Sequence, residues 1–381
     1  MCKPFSKNGY RTNNEGNVVI RNRIELCRMK TLTTIFAIMA LTSSLSVPAK
    51  DQQTTKIEIE PLQLTQEWDK TFPKSDKVDH RKVTFVNRYG VTLAADMYTP
   101  KGQSGPFEAI AVSGPFGAVK EQSSGLYAQQ LAERGFLTIA FDPSFTGESG
   151  GMPRRVASPD INTEDFCAAV DFLATQPNVD PEKIGILGIC GFGGFSISAA
   201  ANDPRIKATV ASTMYDIDRC TSNGYFDAND SKQYRDQMRQ AMARQRTEDY
   251  KNGSYKRAGG VVDPLPDDAP QFVKEYFAYY KTPRGFHPRS GNSTDGWNVT
   301  SSFPFVNFSL LDRAGEIDAP VMVLHGEKAH SLYMGKTAYS KLEGNNKELV
   351  IVPAANHTDL YDNLEKIPFD KIANFYRRSF K

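Results

Sequence analysis

A single cysteine framed by glycines offers the clearest chemistry in this chain. Residues 183–195 read Lys-Ile-Gly-Ile-Leu-Gly-Ile-Cys-Gly-Phe-Gly-Gly-Phe, and the cysteine is Cys190. An apolar run ends in glycines, and a helix-compatible stretch begins at Ser196. Strand, tight turn bearing one nucleophile, then helix is the layout that lifts a reactive side chain above a sheet edge. Such a turn needs a residue at positive φ and small neighbours. A helix N-terminus behind it supplies N–H groups and a positive dipole end, which lower a thiol's pKa toward reactive thiolate. A buried core cysteine has the same outline. So does a glycine-rich nucleotide turn, although the spacing G-x-G-x-x-G is not met.

A nucleophile of this kind needs a base, an orienting acid and two N–H donors for an oxyanion. The histidines are His80, His287, His325, His330 and His357. His357 follows the last predicted strand, which is where a base belongs when the nucleophile lies mid-chain. The residue after the nucleophile, Gly191, supplies one oxyanion donor. The other comes from the loop at residues 113–121, where Pro115 has no N–H and Phe116 is the natural donor. Asp216, just past the strand at residues 207–212, is the expected acid, although a helix cap or turn would also place an aspartate there. Asp218 and Glu327 are alternatives. A Cys–His dyad with no acid is another, since a thiol is partly ionised near neutral pH.

The elements that must position these residues follow a readable order. Val83, Phe85, Val91, Leu93, Ala95 and Met97 alternate on either side of a Gly90 turn and predict an antiparallel hairpin. From residue 107 the rhythm becomes strand–helix alternation, which predicts a parallel sheet. Strands are expected at 107–112, 136–141, before Cys190, and at 207–212, 320–325 and 348–352. Helices are expected at 123–134, from a cap at Asn162 or Thr163, and at 369–380. Pro177 and Pro181 are expected to bracket a loop. The alternation breaks at about 219–318. A hundred structureless residues would be unusual inside a compact domain, so a mostly helical cap insertion is predicted, with helical pieces at 232–246 and 269–280.

The bulk properties of this 381-residue chain set limits. A net charge of +2 and 24% charged residues give no argument for nucleic acid or an anionic membrane surface as partner. The 40% hydrophobic content suits a sizeable core. Arg21, Arg23, Arg28 and Lys30 precede an apolar run at 31–45, and Val47 and Ala49 stand at −3 and −1 of a cleavage site. That pattern predicts a secretory signal peptide at 29–49, with 1–28 an upstream extension and 50–77 a linker. An uncleaved segment is the one route to a membrane. Export leaves Cys167, Cys190 and Cys220, an odd number, so at least one thiol stays free or pairs between chains.

Taken together, these pieces resemble the α/β-hydrolase superfamily, in its dienelactone hydrolase-like branch with a cysteine nucleophile. Gly188-Ile189-Cys190-Gly191-Phe192-Gly193-Gly194 is similar to the G-x-C-x-G-G elbow. Gly114-Pro115-Phe116-Gly117 with Lys120-Glu121 resembles the H-G-F-x-G…K-E oxyanion loop, without its histidine. Residues 142–151 resemble the D-x-R-G-x-G-x-S-x-G loop. Two further departures stand out. Phe192 occupies a place usually small, so the turn is expected to differ locally. Ala329 stands where H-G-x-x-D would put the acid. The resemblance implies an α/β-hydrolase fold over 78–381 and an exported hydrolase of an ester, thioester or lactone-type small molecule, with no cofactor or metal. An acyltransferase and a non-catalytic binding protein on the same scaffold are the alternatives.

Overall fold

The computed structural model describes residues 56–381, so the predicted upstream extension, signal peptide and first residues of the linker lie outside the described residues. The hairpin forms as the alternation requires. Strands β1 (Val78–Val86) and β2 (Thr92–Pro100) pair antiparallel about the turn at 87–90, where Gly90 adopts φ 77°. Six further strands follow: β3 (Phe107–Ser113), β4 (Leu137–Phe141), β5 (Val179–Ile189), β6 (Ile206–Ser212), β7 (Val321–Gly326) and β8 (Lys347–Val352). They form one sheet in the order β1-β2-β4-β3-β5-β6-β7-β8. From β4 through β8 every neighbouring pair is parallel. Strands β4 and β7 are buried along their whole length, as expected for a parallel sheet covered on both faces.

The helices are α1 (Ser123–Ala132), α2 (Pro159–Ala174), α3 (Phe192–Asn202), α4 (Ile217–Asn223), α5 (Lys232–Asn252), α6 (Gln271–Tyr280), α7 (Leu332–Lys341), α8 (Asp359–Asp362) and α9 (Phe369–Ser379). Helix α2 starts earlier than expected. Ser158 caps it by accepting from the Ile161 N–H, and Pro159 fills the first turn, where a missing N–H costs nothing. Pro181 lies inside β5 rather than in a loop. The sheet takes it up as an irregularity, the register with β3 shifting between Phe107 and Ala109. Helix α7 was not foreseen; its apolar side is narrow, with Met334, Gly335 and Ala338 buried.

Between β6 and β7 the chain forms α4, α5, α6 and short 3-10 turns, and this stretch supplies the cap over the C-terminal ends of the strands. Among the described residues no helix is long and apolar enough to cross a membrane.

Candidate active site

Strand β5 ends at Ile189, and its ladder with β6 delivers Cys190 to the sheet edge. The Cys190 N–H donates to Ser212 O at 2.9 Å, and the Tyr215 N–H donates to Cys190 O at 2.8 Å. Cys190 adopts φ 56° and helix α3 begins two residues later, so the elbow forms with Cys190 at its strained position. The expectation that Phe192 would alter the turn is not met, because the room is made elsewhere. A Cβ on Gly188 would lie 1.9 Å from Phe192 O, and one on Gly114 would lie 2.8 Å from the Phe192 Cβ. The Phe192 ring turns into the core between Phe166 and Phe195, at centroid distances of 6.0 and 5.0 Å.

Four groups beside the sulfur favour its thiolate form: the Tyr361 hydroxyl, the Gly191 and Phe116 backbone N–H groups, and the Tyr276 hydroxyl. The two backbone donors are the pair anticipated for the oxyanion. Phe116 is held from both sides. Asn292 Nδ2 donates to its carbonyl at 2.7 Å, and its ring stacks on Trp297 at 4.5 Å. Both partners belong to the insertion, so the cap fixes the oxyanion loop.

Burial raises the Cys190 thiol to about 11, with these four groups offsetting part of the penalty. The anticipated lowering by the helix N-terminus is therefore overturned. Desolvation of a thiolate at a residue only 6% exposed outweighs a dipole end. At rest the thiol is protonated.

His357 follows β8 and is fully buried. Its Nε2 lies 3.0 Å from the Tyr361 hydroxyl, and that same hydroxyl is among the groups that favour the Cys190 thiolate. Tyr361 thus stands beside both the thiol and the imidazole. Helix α8, which carries Tyr361, is tied to α1 where the Tyr127 hydroxyl donates to Leu360 O at 2.7 Å. Burial keeps the His357 imidazole well below its usual range, with nearby His330 and His325 adding to the effect.

No acid takes the place beside Nδ1. That atom lies 2.6 Å from Ser331 Oγ and 3.1 Å from Thr213 Oγ1. Asp216 is corrected as the triad acid. It caps α4, accepting from the Arg219 N–H at 3.1 Å, because the chain turns into a helix at that point. Asp218 accepts from the Leu310 N–H at 3.3 Å, and burial followed by its neighbour Asp216 raises it to about 9. Glu327 accepts from the Ala354 N–H at 2.9 Å on the exposed rim. Sequence reasoning missed Ser331 and Tyr361, and read Tyr276 as one of the insertion's aromatics, lining a substrate pocket or forming the lid's own core. Ser331 left a signal in lying two residues past Ala329, where the acid was sought.

A buried charge cluster sets the oxyanion loop against residues 142–151. The Lys120 ammonium meets Glu121 at 2.7 Å, Asp142 at 2.8 Å and Glu148 at 2.7 Å. The Lys120 N–H donates to Asp142 Oδ1 and the Glu148 N–H to Asp142 Oδ2, each at 2.8 Å. These three carboxylates are near enough to hold a cation, and the ammonium is that cation.

A mostly parallel sheet, a nucleophile elbow after β5 and a histidine after β8 define an α/β hydrolase. The α/β hydrolase GrgF of Penicillium sp. sh18 shares the fold, with a TM-score of 0.65 at 20% identity over 79% of this chain and 99% of that one. Residues 89–359 match the X-Pro dipeptidyl-peptidase (S15) family, and the chain belongs to that family. Among its relatives is PA2218 of Pseudomonas aeruginosa, 55% identical over 317 residues, 83% of this chain and 85% of that protein. The PA2218 crystal structure superposes with a TM-score of 0.82 at 54% identity, covering 84% and 99% of the two chains. The thiohydrolase aneE of Aspergillus aculeatus is 34% identical over 137 residues, 36% of this chain and 42% of that one.

Proposed function

We propose that the protein hydrolyses an ester, thioester or lactone-type small molecule through a Cys190 acyl-enzyme. The observation that carries this reading is the elbow that holds Cys190 at φ 56°, with His357 Nε2 3.0 Å from the Tyr361 hydroxyl and that hydroxyl, like the Gly191 and Phe116 N–H groups, among those that favour the thiolate. For His357 to act as base, its proton sits on Nδ1 and is donated to Ser331 Oγ. Tyr361 then donates to Nε2 and accepts from the thiol. As the sulfur attacks the carbonyl carbon, the thiol proton passes to the Tyr361 oxygen and the Tyr361 proton passes to Nε2. The electron pair of the carbonyl moves onto its oxygen, which the Gly191 and Phe116 N–H groups hold. Collapse breaks the bond to the leaving group, which takes the proton back from His357. Water, deprotonated by the same histidine, then cleaves the thioester.

The name of the relative aneE, a thiohydrolase, agrees with this reading. So does the likeness of the elbow and its cysteine to dienelactone hydrolases. Export by the N-terminal segment is part of the proposal, and N-terminal sequencing of the secreted protein tests it: an intact Met1 excludes cleavage.

The test of the chemistry is Cys190→Ala and Cys190→Ser against a panel of activated esters and thioesters. Loss of turnover with Cys190→Ala is expected. Unchanged hydrolysis by the purified variant would overturn the proposal. Enclosure favours one second reading. Cys190 is 6% exposed and His357 0%, and a site shut to water favours transfer to another acceptor. Product analysis with added alcohols and amines separates a transferase from a hydrolase.

A further inference from the structure

We infer that residues 225–227 are the door to the active site, and that a substrate bearing a flat, uncharged ring enters past the aromatic wall behind them. This inference rests on the reading of Cys190 and His357 as the site of the chemistry.

The site is shut at rest, with Cys190 6% and His357 0% exposed, so turnover requires an element to move. From His357 a line of rings leads outward. His330 lies 4.9 Å from it, Phe272 stacks on His330 at 4.7 Å, and Tyr225 meets Phe272 at 4.9 Å. Accessibility rises along the line: His357 is buried, His330 and Phe272 are half-buried, and Tyr225 is exposed. Tyr215 brings the same wall to the nucleophile. Its N–H donates to Cys190 O at 2.8 Å, and its ring lies 6.2 Å from His357 and 6.1 Å from Tyr225. Burial lowers His330 to about 4, so it adds no charge to the phenyl and phenol rings around it. A wall of this kind suits a flat, uncharged ring, which offset-stacked and edge-on contacts hold.

The backbone singles out 225–227 as the part that moves. Phe226 and Asp227 both take φ 57°. Neither is glycine, and two successive residues of this kind stay left-handed only where their surroundings impose it. Those surroundings are few. The Phe226 N–H donates to the Tyr333 hydroxyl at 3.0 Å, and the two rings lie 5.4 Å apart. Arg219 Nε donates to Asp227 Oδ1 at 2.8 Å and its Nη1 to Thr337 Oγ1 at 2.9 Å, while its guanidinium covers the Tyr333 ring at 4.9 Å. Phe226 itself is 59% exposed. A strained loop is thus clasped to α4 and α7 by contacts at the surface and not by core packing. Releasing the clasp lets Phe226 and Asp227 relax and draws Tyr225 off Phe272, so relief of strain and opening of the wall are one event.

Labelling of Cys190 reads the door without any turnover. Iodoacetanilide carries a ring and iodoacetamide does not, and the larger reagent depends on the door more. The ratio of their rates at one pH, read on the Cys190 peptide by mass spectrometry, cancels the thiolate fraction. Asp227→Asn and Tyr333→Phe each weaken one clasp contact with little change in size, and each is expected to raise that ratio about two- to tenfold, the worth of one hydrogen bond. Phe272→Leu keeps the bulk and loses the ring face, and is expected to lower it about two- to tenfold. Cys167, half-buried on α2, is the internal control: a general loosening would speed its labelling too, whereas a door leaves it unmoved. A Cys190 ratio unmoved in both clasp variants, a ratio unmoved in Phe272→Leu, or a rise shared by Cys167 would each overturn the inference. If Cys190→Ala keeps full activity toward esters, the acyl-enzyme reading falls, while the labelling ratio still decides the door.

Discussion

The Ser331 hydroxyl stands 2.6 Å from Nδ1 of His357, the place a carboxylate takes in a Ser-His-Asp triad. A hydroxyl can orient the ring but adds no charge to stabilise an imidazolium. The base is therefore neutral at rest and its pKa low, through burial and through His330 and His325. Ser331→Asp puts a charge beside it, which favours the protonated ring and raises its pKa. The acid limb of kcat/KM is expected to move up in pH, so the variant loses activity in mild acid where the parent keeps it. Ser331→Ala leaves Thr213 at 3.1 Å, and a loss of about tenfold or less is expected, the worth of one neutral hydrogen bond. A pH–rate profile of the three proteins decides. An acid limb that does not move in Ser331→Asp would show that His357 is not the titrating base.

In the proposed mechanism Tyr361 carries the proton from the thiol to the imidazole, so removing its hydroxyl would break that path without emptying the space. Tyr361→Phe is expected to lower the acylation rate by about 100-fold or more, the usual range for positioned acid–base groups. The solvent deuterium isotope effect on acylation should change as well, because two protons move together in the parent. Equal rates and equal isotope effects would mean that Cys190 and His357 meet directly during turnover.

The thiol itself gives a third test. Burial raises Cys190 to about 11, so its alkylation by iodoacetamide is expected to be slow at neutral pH and to climb toward that value. The sign extends to stability. The folded pKa lies above the unfolded value of about 8.5, so the contribution of the buried neutral thiol is complete below that pH. It is lost as pH rises through about 11. Cys190→Ala should flatten the alkaline loss of stability measured by urea unfolding. Rapid labelling at pH 7 would contradict a protonated resting thiol.

How far the sequence reaches can be judged residue by residue. The sheet was legible because its strands alternate in period or run continuously apolar, and both patterns follow from burial of one face or two. Cys190 and Gly191 were legible because an elbow constrains residue types locally. Phe116 followed from the missing N–H of Pro115. His357 could be placed by its order in the chain. The acid could not be read in this way. Its position is set by where loops from β6 and β7 come together in space, and Ser331 reaches Nδ1 from a turn whose carboxylate, Glu327, is bonded to the Ala354 N–H instead. Tyr361 was hidden for a related reason. An aromatic on a short helix reads as core, and only its hydroxyl's partner shows otherwise. The thiol's titration was misjudged because a dipole end is visible in a sequence and desolvation is not.

The last prediction concerns the charge cluster behind the oxyanion loop. Lys120 is fully buried and holds Glu121, Asp142 and Glu148 at 2.7–2.8 Å. Lys120→Met keeps the stem and deletes the ammonium, leaving carboxylates in the interior with Lys82 and Arg289 as the cations remaining at hand. Breaking a buried pair in this way typically costs about 3–5 kcal/mol, and urea unfolding at pH 7 is expected to show a loss of that size. The pH dependence distinguishes an electrostatic cause from a packing cause. Glu148 is held down to about 2 despite its burial penalty, first by Lys120 and then by Lys82 and the Thr65 N–H. A depressed folded pKa gives stability that is present above the unfolded value near 4.3 and is lost as pH falls toward 2. The deficit of Lys120→Met should therefore be largest near neutrality and shrink on acidification, as the orphaned carboxylates take up protons. Asp142→Asn in the Lys120→Met background should recover part of the loss, since it removes one of the unpaired charges. A deficit constant from pH 7 to pH 4 would assign the loss to packing and not to charge.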